Sequence, residues 1–316
     1  MAPLGTVPLI VQDGDPQMPP PYSFPGVSIR NFPLSADPEK LQQLCDNRLN
    51  TILGTPGERK CEYRIDKDDS FVDLNVLTYP RMYSNELENI GYISQHELYF
   101  GLSVYKHMLQ GSEVPPERTI FVPYIFVDNV WSLISGREVM GYPKLRASFQ
   151  PLPSEAYPII VSTDVLTEYS PKTSQTFRPL VEIYESRASS AFTDQQGDTP
   201  WPWGALDNLA LPSPQVKGAR VGIAFPIIQL KQIRDSEETD RACYQALVSS
   251  KIIASTFQQR TDLDPAEIKI HRYDNLRIAE VLGLGDGVLK PIKRPCLRKC
   301  DLEFEKPQNL IVRCLA

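Results

Sequence analysis

Between Phe71 and Thr78 the chain alternates with a period of two. Phe71, Asp73, Asn75 and Leu77 fall on one face, and Val72, Leu74, Val76 and Thr78 on the other. Only a β-strand turns successive side chains to opposite faces in this way. Strand-like stretches recur at residues 26–32, 61–65, 93–105, 119–127 (interrupted by Pro123), 159–163, 176–185, 219–230, 296–304 and 310–314. The 29 prolines among 316 residues agree with this reading, because a share well above the usual ~5% favours loops over a helical bundle. The expected fold class is mainly β (α+β).

Helical signals are fewer. Residues 35–45 carry a polar cap, Pro38 in the first turn, and Leu41, Leu44 and Cys45 on one face. Residues 275–284 read as a second helix, ending at Gly285. Residues 242–257 mix helix and strand formers and fit either state. Residues 1–25, with Pro19, Pro20 and Pro21, are expected to form an extended arm, and residues 26–316 a single domain. That domain is interrupted near residues 188–217, where Ser, Gly, Asp and Pro gather around Trp201 and Trp203. This stretch reads as a long loop whose tryptophans either form a lid over an apolar pocket or pin the loop to the surface.

Composition narrows the function classes. The net charge of −6 arises from 33 basic and 39 acidic residues without a basic stripe, so no nucleic-acid partner is expected. No apolar run reaches the length of a membrane span, and the first twenty residues, with Asp13 and Asp15, lack a signal pattern. The expectation is a soluble, cytoplasmic protein with no membrane partner. Cys45, Cys61, Cys243, Cys296, Cys300 and Cys314 read as free thiols. His96, His107 and His271 supply no second ligand pair at motif spacing beside Cys296 and Cys300, so no metal is expected. Without a glycine-rich phosphate loop, no cofactor is expected either.

The chemistry centres on Gly136-Arg137-Glu138-Val139-Met140-Gly141-Tyr142-Pro143-Lys144. Asp128-Asn129 supplies a helix cap, and Val130, Leu133, Ile134 and Arg137 recur at helical spacing, so a short helix should lead into the motif. Pro143 biases Tyr142 toward extended backbone and places Lys144 on an extended segment. With this lead-in, the motif resembles the signature of acetoacetate decarboxylase, in which Gly-Arg-Glu, three variable residues and Tyr-Pro-Lys-Lys end on a Schiff-base lysine. Lys144 falls on the first lysine of that pair. The resemblance continues as weaker, pattern-level similarity through residues 243–252, the 276–284 helix and the strand from Leu297. It implies an antiparallel β-barrel with peripheral helices, a small-molecule keto substrate, a homo-oligomer, and decarboxylation of a β-keto acid as the default reaction. It also leaves open an aldolase, dehydratase or cyclase on a larger keto substrate, or a barrel that only binds an apolar ligand.

An amine must be neutral to attack a ketone, and an unperturbed lysine is neutral in only about one molecule in a few thousand at pH 7. The family's second lysine, which would favour the neutral form, is replaced here by Leu145. Arg146 would point along with Lys144 if alternation holds, with Leu145 pointing away. The family's catalytic glutamate falls on Gln95 in an ungapped comparison and on Glu97 if the register slips by two. A glutamine keeps the shape but cannot exchange a proton. Arg30 is the nearest counterpart of the family's substrate-binding arginine. Arg137 and Tyr142 are further candidates for substrate contact, with pairing to Glu138 as a structural alternative for Arg137. His96 is a possible general base with no motif behind it.

Overall fold

The computed structural model describes residues 8–10, 13–67, 70–87, 91–109, 114–151, 157–186, 222–258 and 261–314. The expected insertion at 188–217, with Trp201 and Trp203, lies outside the described residues.

The first half of the chain holds β1 (Tyr22–Ser35), β2 (Cys61–Arg64), β3 (Phe71–Ser84), β4 (Ile93–Met108) and β5 (Glu117–Val127). Then come β6 (Lys144–Gln150), β7 (Ile159–Val165), β8 (Thr176–Glu185), β9 (Ile223–Arg234) and β10 (Ala242–Ser255). The last are β11 (Thr261–Asp262), β12 (Ala266–Ile270), β13 (Val288–Leu289), β14 (Cys296–Phe304) and β15 (Gln308–Cys314). Seven strands close a barrel in the order β5-β9-β10-β14-β1-β3-β4, with β4 pairing back onto β5. The expected antiparallel barrel is present with one parallel seam, where Ile120 and Phe121 of β5 meet Ile227 and Ile228 of β9. The ambiguous stretch from residue 242 is strand, drawn into the barrel by pairing with β9 on one side and with β14 and β15 on the other. Tertiary pairing outweighs weak local propensity there.

Both faces of the barrel wall carry a buried apolar core. Ile29, Leu77, Ile125, Phe225 and Leu302 pack inward as one core. Phe32, Leu74, Phe100 and Phe126 turn outward into a second core under a sheet of β6, β7, β8, β12 and β13 and under two helices. Each such side chain, fully buried, contributes about 1.5–3 kcal/mol.

Among the described residues the α-helices are α1 (Pro38–Arg48), α2 (Val130–Ser135) and α3 (Ile278–Leu282). Asp37 caps α1 by accepting from the Glu39 and Lys40 amides, Pro38 opens it, and Leu41, Leu44 and Cys45 are buried as the sequence predicts. Helix α3 stops earlier than expected. Gly283, not Gly285, ends the helix, in the left-handed conformation at φ +64°, and the Leu284 amide reaches back to Ala279. A Cβ on Gly283 would lie 2.6 Å from Asp37 Cβ, so glycine also permits the close approach of α3 to the start of α1.

The described part of the N-terminal arm gives way to β1 at Tyr22, before the expected boundary at residue 25. Its described end docks on the barrel: the Met18 amide donates to Ser135 Oγ at 2.9 Å, and Tyr22 OH donates to the Met18 carbonyl. No described helix is long and apolar enough to cross a membrane.

Candidate active site

The backbone around the motif explains its glycines and proline. Asn129 caps α2 by accepting from the Trp131 and Ser132 amides at 2.9 and 3.2 Å. The helix then widens into one π-helical turn, Gly136–Met140, a distortion often found at functional sites. Gly141 ends the turn in the left-handed region at φ +79°. Lys144 follows as the first residue of β6, paired in parallel with Ile125. Gly136 packs directly on the lysine stem: a Cβ there would lie 2.5 Å from Lys144 Cδ and 2.7 Å from Cε.

Helix α2 does not bury the face expected of it. Val130 is 53% and Trp131 44% exposed, while Ser132 and Ser135 are buried. The inward side meets polar groups, the Lys144 amine and the Met18 amide, and serine can bond both. Ser132, Ser135 and Gly136 stand at i, i+3 and i+4, so a small-polar face was the overlooked signal.

Lys144 is 8% exposed. Its Nζ donates to Ser132 Oγ at 2.7 Å and lies 3.2 Å from Glu97 Oε2. Glu97 is itself buried and accepts from Tyr79 OH at 3.1 Å and from Gln95 Nε2 at 3.4 Å. Gln95 and Glu97 share the inward face of β4, but the carboxylate is the group at the amine. Gln95 stands next to it, with its buried Oε1 lacking a hydrogen-bond partner. Of the two, Glu97 is the residue that meets the amine, and Gln95 bonds to Glu97.

Two cavities meet at Lys144. One lies between the amine, Gln95, Ser132 and Gly136. The other, the larger of the two, runs into the barrel between Leu77, Ile120, Ile227, Ile252 and Leu302. Tyr142 and Tyr79 line both. The Tyr142 ring centroid is 6.0 Å from the amine. Burial, and then the Glu97 carboxylate, push the Tyr79 and Tyr142 phenols above their ordinary range, with a hydrogen bond to Ser250 partly opposing this in Tyr142. Both therefore stay neutral donors.

Other candidates do not reach the cavity. Arg30 is buried on the opposite face of β1, paired in register with Val76, which packs into the outer core. It cannot serve as the substrate-binding arginine from there, because a residue one position off in a strand faces away. Arg137 is exposed and donates to the Lys144 backbone carbonyl at 3.0 Å, so it positions the lysine segment and does not enter the chamber. Arg146 does not accompany Lys144: β6 leaves β5 after it, and its exposed side chain pairs with Asp164 at 3.3 Å. Leu145 points away into the outer core, as expected. His96 also faces outward, with Nδ1 2.7 Å from Asp128 Oδ2.

This closed barrel, with the motif lysine at the start of β6, defines the class: the chain has the acetoacetate decarboxylase fold. It superposes on acetoacetate decarboxylase from Legionella pneumophila with a TM-score of 0.57 at 14% identity, over 98% of this chain and 93% of that one. MppR, an enduracididine biosynthesis enzyme solved with the condensation product of pyruvate and imidazole 4-carboxaldehyde, gives 0.54 at 15% identity over 94% and 92%. An acetoacetate decarboxylase-like enzyme from Sphingomonas wittichii RW1 gives 0.53 at 14% over 98% and 100%. No family model matches the chain, and no curated protein does. At such identities the likeness carries the fold alone; function rests on the site.

Replacing Gly136 with alanine tests the lysine geometry. The three atoms nearest the added methyl all belong to the lysine stem, and alanine favours helix, so the protein should stay folded. The displaced amine should lower turnover by about 10²-fold, read by steady-state kinetics beside a thermal melt.

Proposed function

We propose that this chain is a Schiff-base-forming enzyme of the acetoacetate decarboxylase superfamily acting on a keto substrate, with Lys144 as nucleophile. The observation that carries this reading is a lysine amine at the mouth of an apolar barrel cavity, bonded to Ser132 and 3.2 Å from the Glu97 carboxylate. Lysines are almost never so deeply buried unless paired, and here the partner is itself an acid–base group.

Glu97 takes a proton from the amine, and the neutral nitrogen adds to the carbonyl carbon. The carbinolamine then loses water as the same carboxyl returns the proton to the departing hydroxyl. Ser132 and Tyr79 hold amine and carboxylate in register by hydrogen bonds. The protonated imine draws in the electron pair of a neighbouring bond. In a β-keto acid that pair comes from the bond to the carboxylate: carbon dioxide leaves, the enamine is protonated, and water hydrolyses the imine. Carbon–carbon cleavage of this kind is the default reading.

Condensation or dehydration through an α-proton is the second reading, favoured by two observations. Glu97 lies beside the nitrogen, where it can act as base toward the α-carbon. Among the described residues lining the two cavities, Lys144 is the one cation, so a larger and more apolar keto substrate suits the walls better than a small anion.

Both readings share the imine, and imine formation exchanges the carbonyl oxygen with water. The protein should catalyse loss of ¹⁸O from labelled hexan-2-one, followed by the isotope shift in ¹³C NMR. Exchange at the uncatalysed rate with this and longer ketones contradicts the proposal.

A further inference from the structure

Followed from Lys144 into the barrel, the inward faces change character. On β3 they run Tyr79, Leu77, Asn75, Asp73; on β4, Glu97, Tyr99, Gly101, Ser103; on β1, Ile29 then Asn31. After an apolar belt, three buried polar side chains gather. Asn31 Nδ2 donates to Asp73 Oδ1 at 2.7 Å and to Asn75 Oδ1 at 3.0 Å, and Asn75 Nδ2 donates to the Asp73 carbonyl at 3.2 Å. Asp73 is 4% exposed, and Asn31 and Asn75 are fully buried.

This cluster borders a third, small pocket lined by Asp73, Asn75 and Ser103, with room for about one water-sized group. Tyr99 and Ile120 line both this void and the Lys144 cavity. Tyr99 is thus the partition between them, and burial, then Asp73, then Glu97 hold its phenol well above its ordinary range. Gly101 makes room for the partition: a Cβ there would lie 3.1 Å from the Tyr99 ring. The cluster is rich in acceptors, a carboxylate with about four acceptor sites and an Asn31 Oδ1 without a partner. Its complement is a hydrogen-bond donor.

We propose that the barrel takes an elongated carbonyl compound: its carbonyl carbon at Lys144, an apolar body along the belt, and a terminal hydroxyl or N–H donating to Asp73 beyond Tyr99. This rests on the reading of Lys144 as nucleophile. The strands supply a ruler. Leu77 pairs with Glu97 and Asp73 with Gly101, four residues further along β3. That separation is about 13 Å, and subtracting a C–N bond and a hydrogen bond leaves roughly seven or eight single bonds between carbonyl carbon and donor oxygen.

The test compares rates of borohydride trapping for 9-hydroxynonan-2-one, decan-2-one, in which a methyl replaces the hydroxyl, and the shorter 6-hydroxyhexan-2-one. The nine-carbon hydroxyketone should be trapped at least about tenfold faster than either, and Asp73→Asn should remove most of that preference. The wild-type series stands if the variant fails to fold. A second arm needs no imine: octan-1-ol should raise the melting temperature more than 1-methoxyoctane, which cannot donate. Trapping without hydroxyl or length preference overturns the subsite and leaves Lys144 chemistry intact. An alcohol preference without any trapping supports the subsite and overturns the nucleophile. Neither effect overturns both, and the cluster is then a structural network.

Discussion

Replacing Lys144 with methionine is expected to lower turnover by at least about 10⁴-fold, because no other amine among the described residues lines the cavities that would hold the substrate. The same change should destabilise the fold. Methionine fills the space of the lysine stem but leaves the Glu97 carboxylate buried without the cation 3.2 Å away. Removing one partner of a buried pair typically costs about 3–5 kcal/mol, whereas replacing both partners is often nearly neutral. Adding Glu97→Gln to Lys144→Met should therefore restore most of the lost stability while activity stays absent. Urea denaturation of the two singles and the double variant checks this. A double variant no more stable than Lys144→Met would show that the pair is not coupled as the geometry requires.

Alkaline pH should weaken the protein steeply, through its buried thiols and phenols. Burial pushes the Cys45 and Cys300 thiols up to about 12, from 9.0 in the unfolded chain, with Asp46 and Asp301 adding to the effect and Arg298 opposing it in Cys300. Below pH 9.0 both states keep the thiol proton, and these groups leave stability unchanged. Above it the unfolded chain ionises and the folded chain does not, so stability falls until the pH reaches about 12. Each group contributes about 1.4 kcal/mol per pH unit, so the two together remove roughly 5 kcal/mol by pH 11. The buried Tyr22, Tyr63, Tyr79, Tyr99 and Tyr142 phenols, all held above 10.0, act in the same direction from pH 10.0 upward. Denaturation midpoints from pH 8 to 11 read the slope. Alanine at Cys45 should flatten it by one group's share, and a midpoint independent of pH would contradict the burial of these groups.

Local pattern carried far in this chain, and stopped where contacts join distant segments. The alternation in residues 71–78 gave β3 because its side chains are sorted between two cores, so period two survives in the sequence. Asp37 and Pro38 announced α1, since a cap acts within one turn. The motif gave Lys144, and its two glycines have local causes: one touches the lysine stem, the other holds positive φ.

Glu97 and Gln95 could not be told apart from sequence, because both face inward and only the pairing of β4 with β5, and of β5 with β6, decides which meets the amine. Arg30 failed by one strand position. Arg146 failed because β6 changes sheets at that residue, where simple alternation no longer predicts direction. Helix α2 forms as its spacing predicts, but Val130 and Trp131 face out and Ser132 and Ser135 are buried against polar partners. Asp73 and Asn75 read in the sequence as ordinary strand alternation, and only the pairing of β1 with β3 and of β3 with β4 sets them beside Asn31 and Tyr99.

The central claim is that Lys144 forms an imine, and reductive trapping tests it most directly. The protein is incubated with borohydride and a panel of β-keto acids, pyruvate and longer ketones, then its mass is measured intact and after digestion. The account predicts one reduced adduct, confined to the peptide that contains Lys144 and absent from Lys144→Met, with the retained mass showing whether the carboxylate has left. An adduct spread over surface lysines, or one that persists in Lys144→Met, would contradict it.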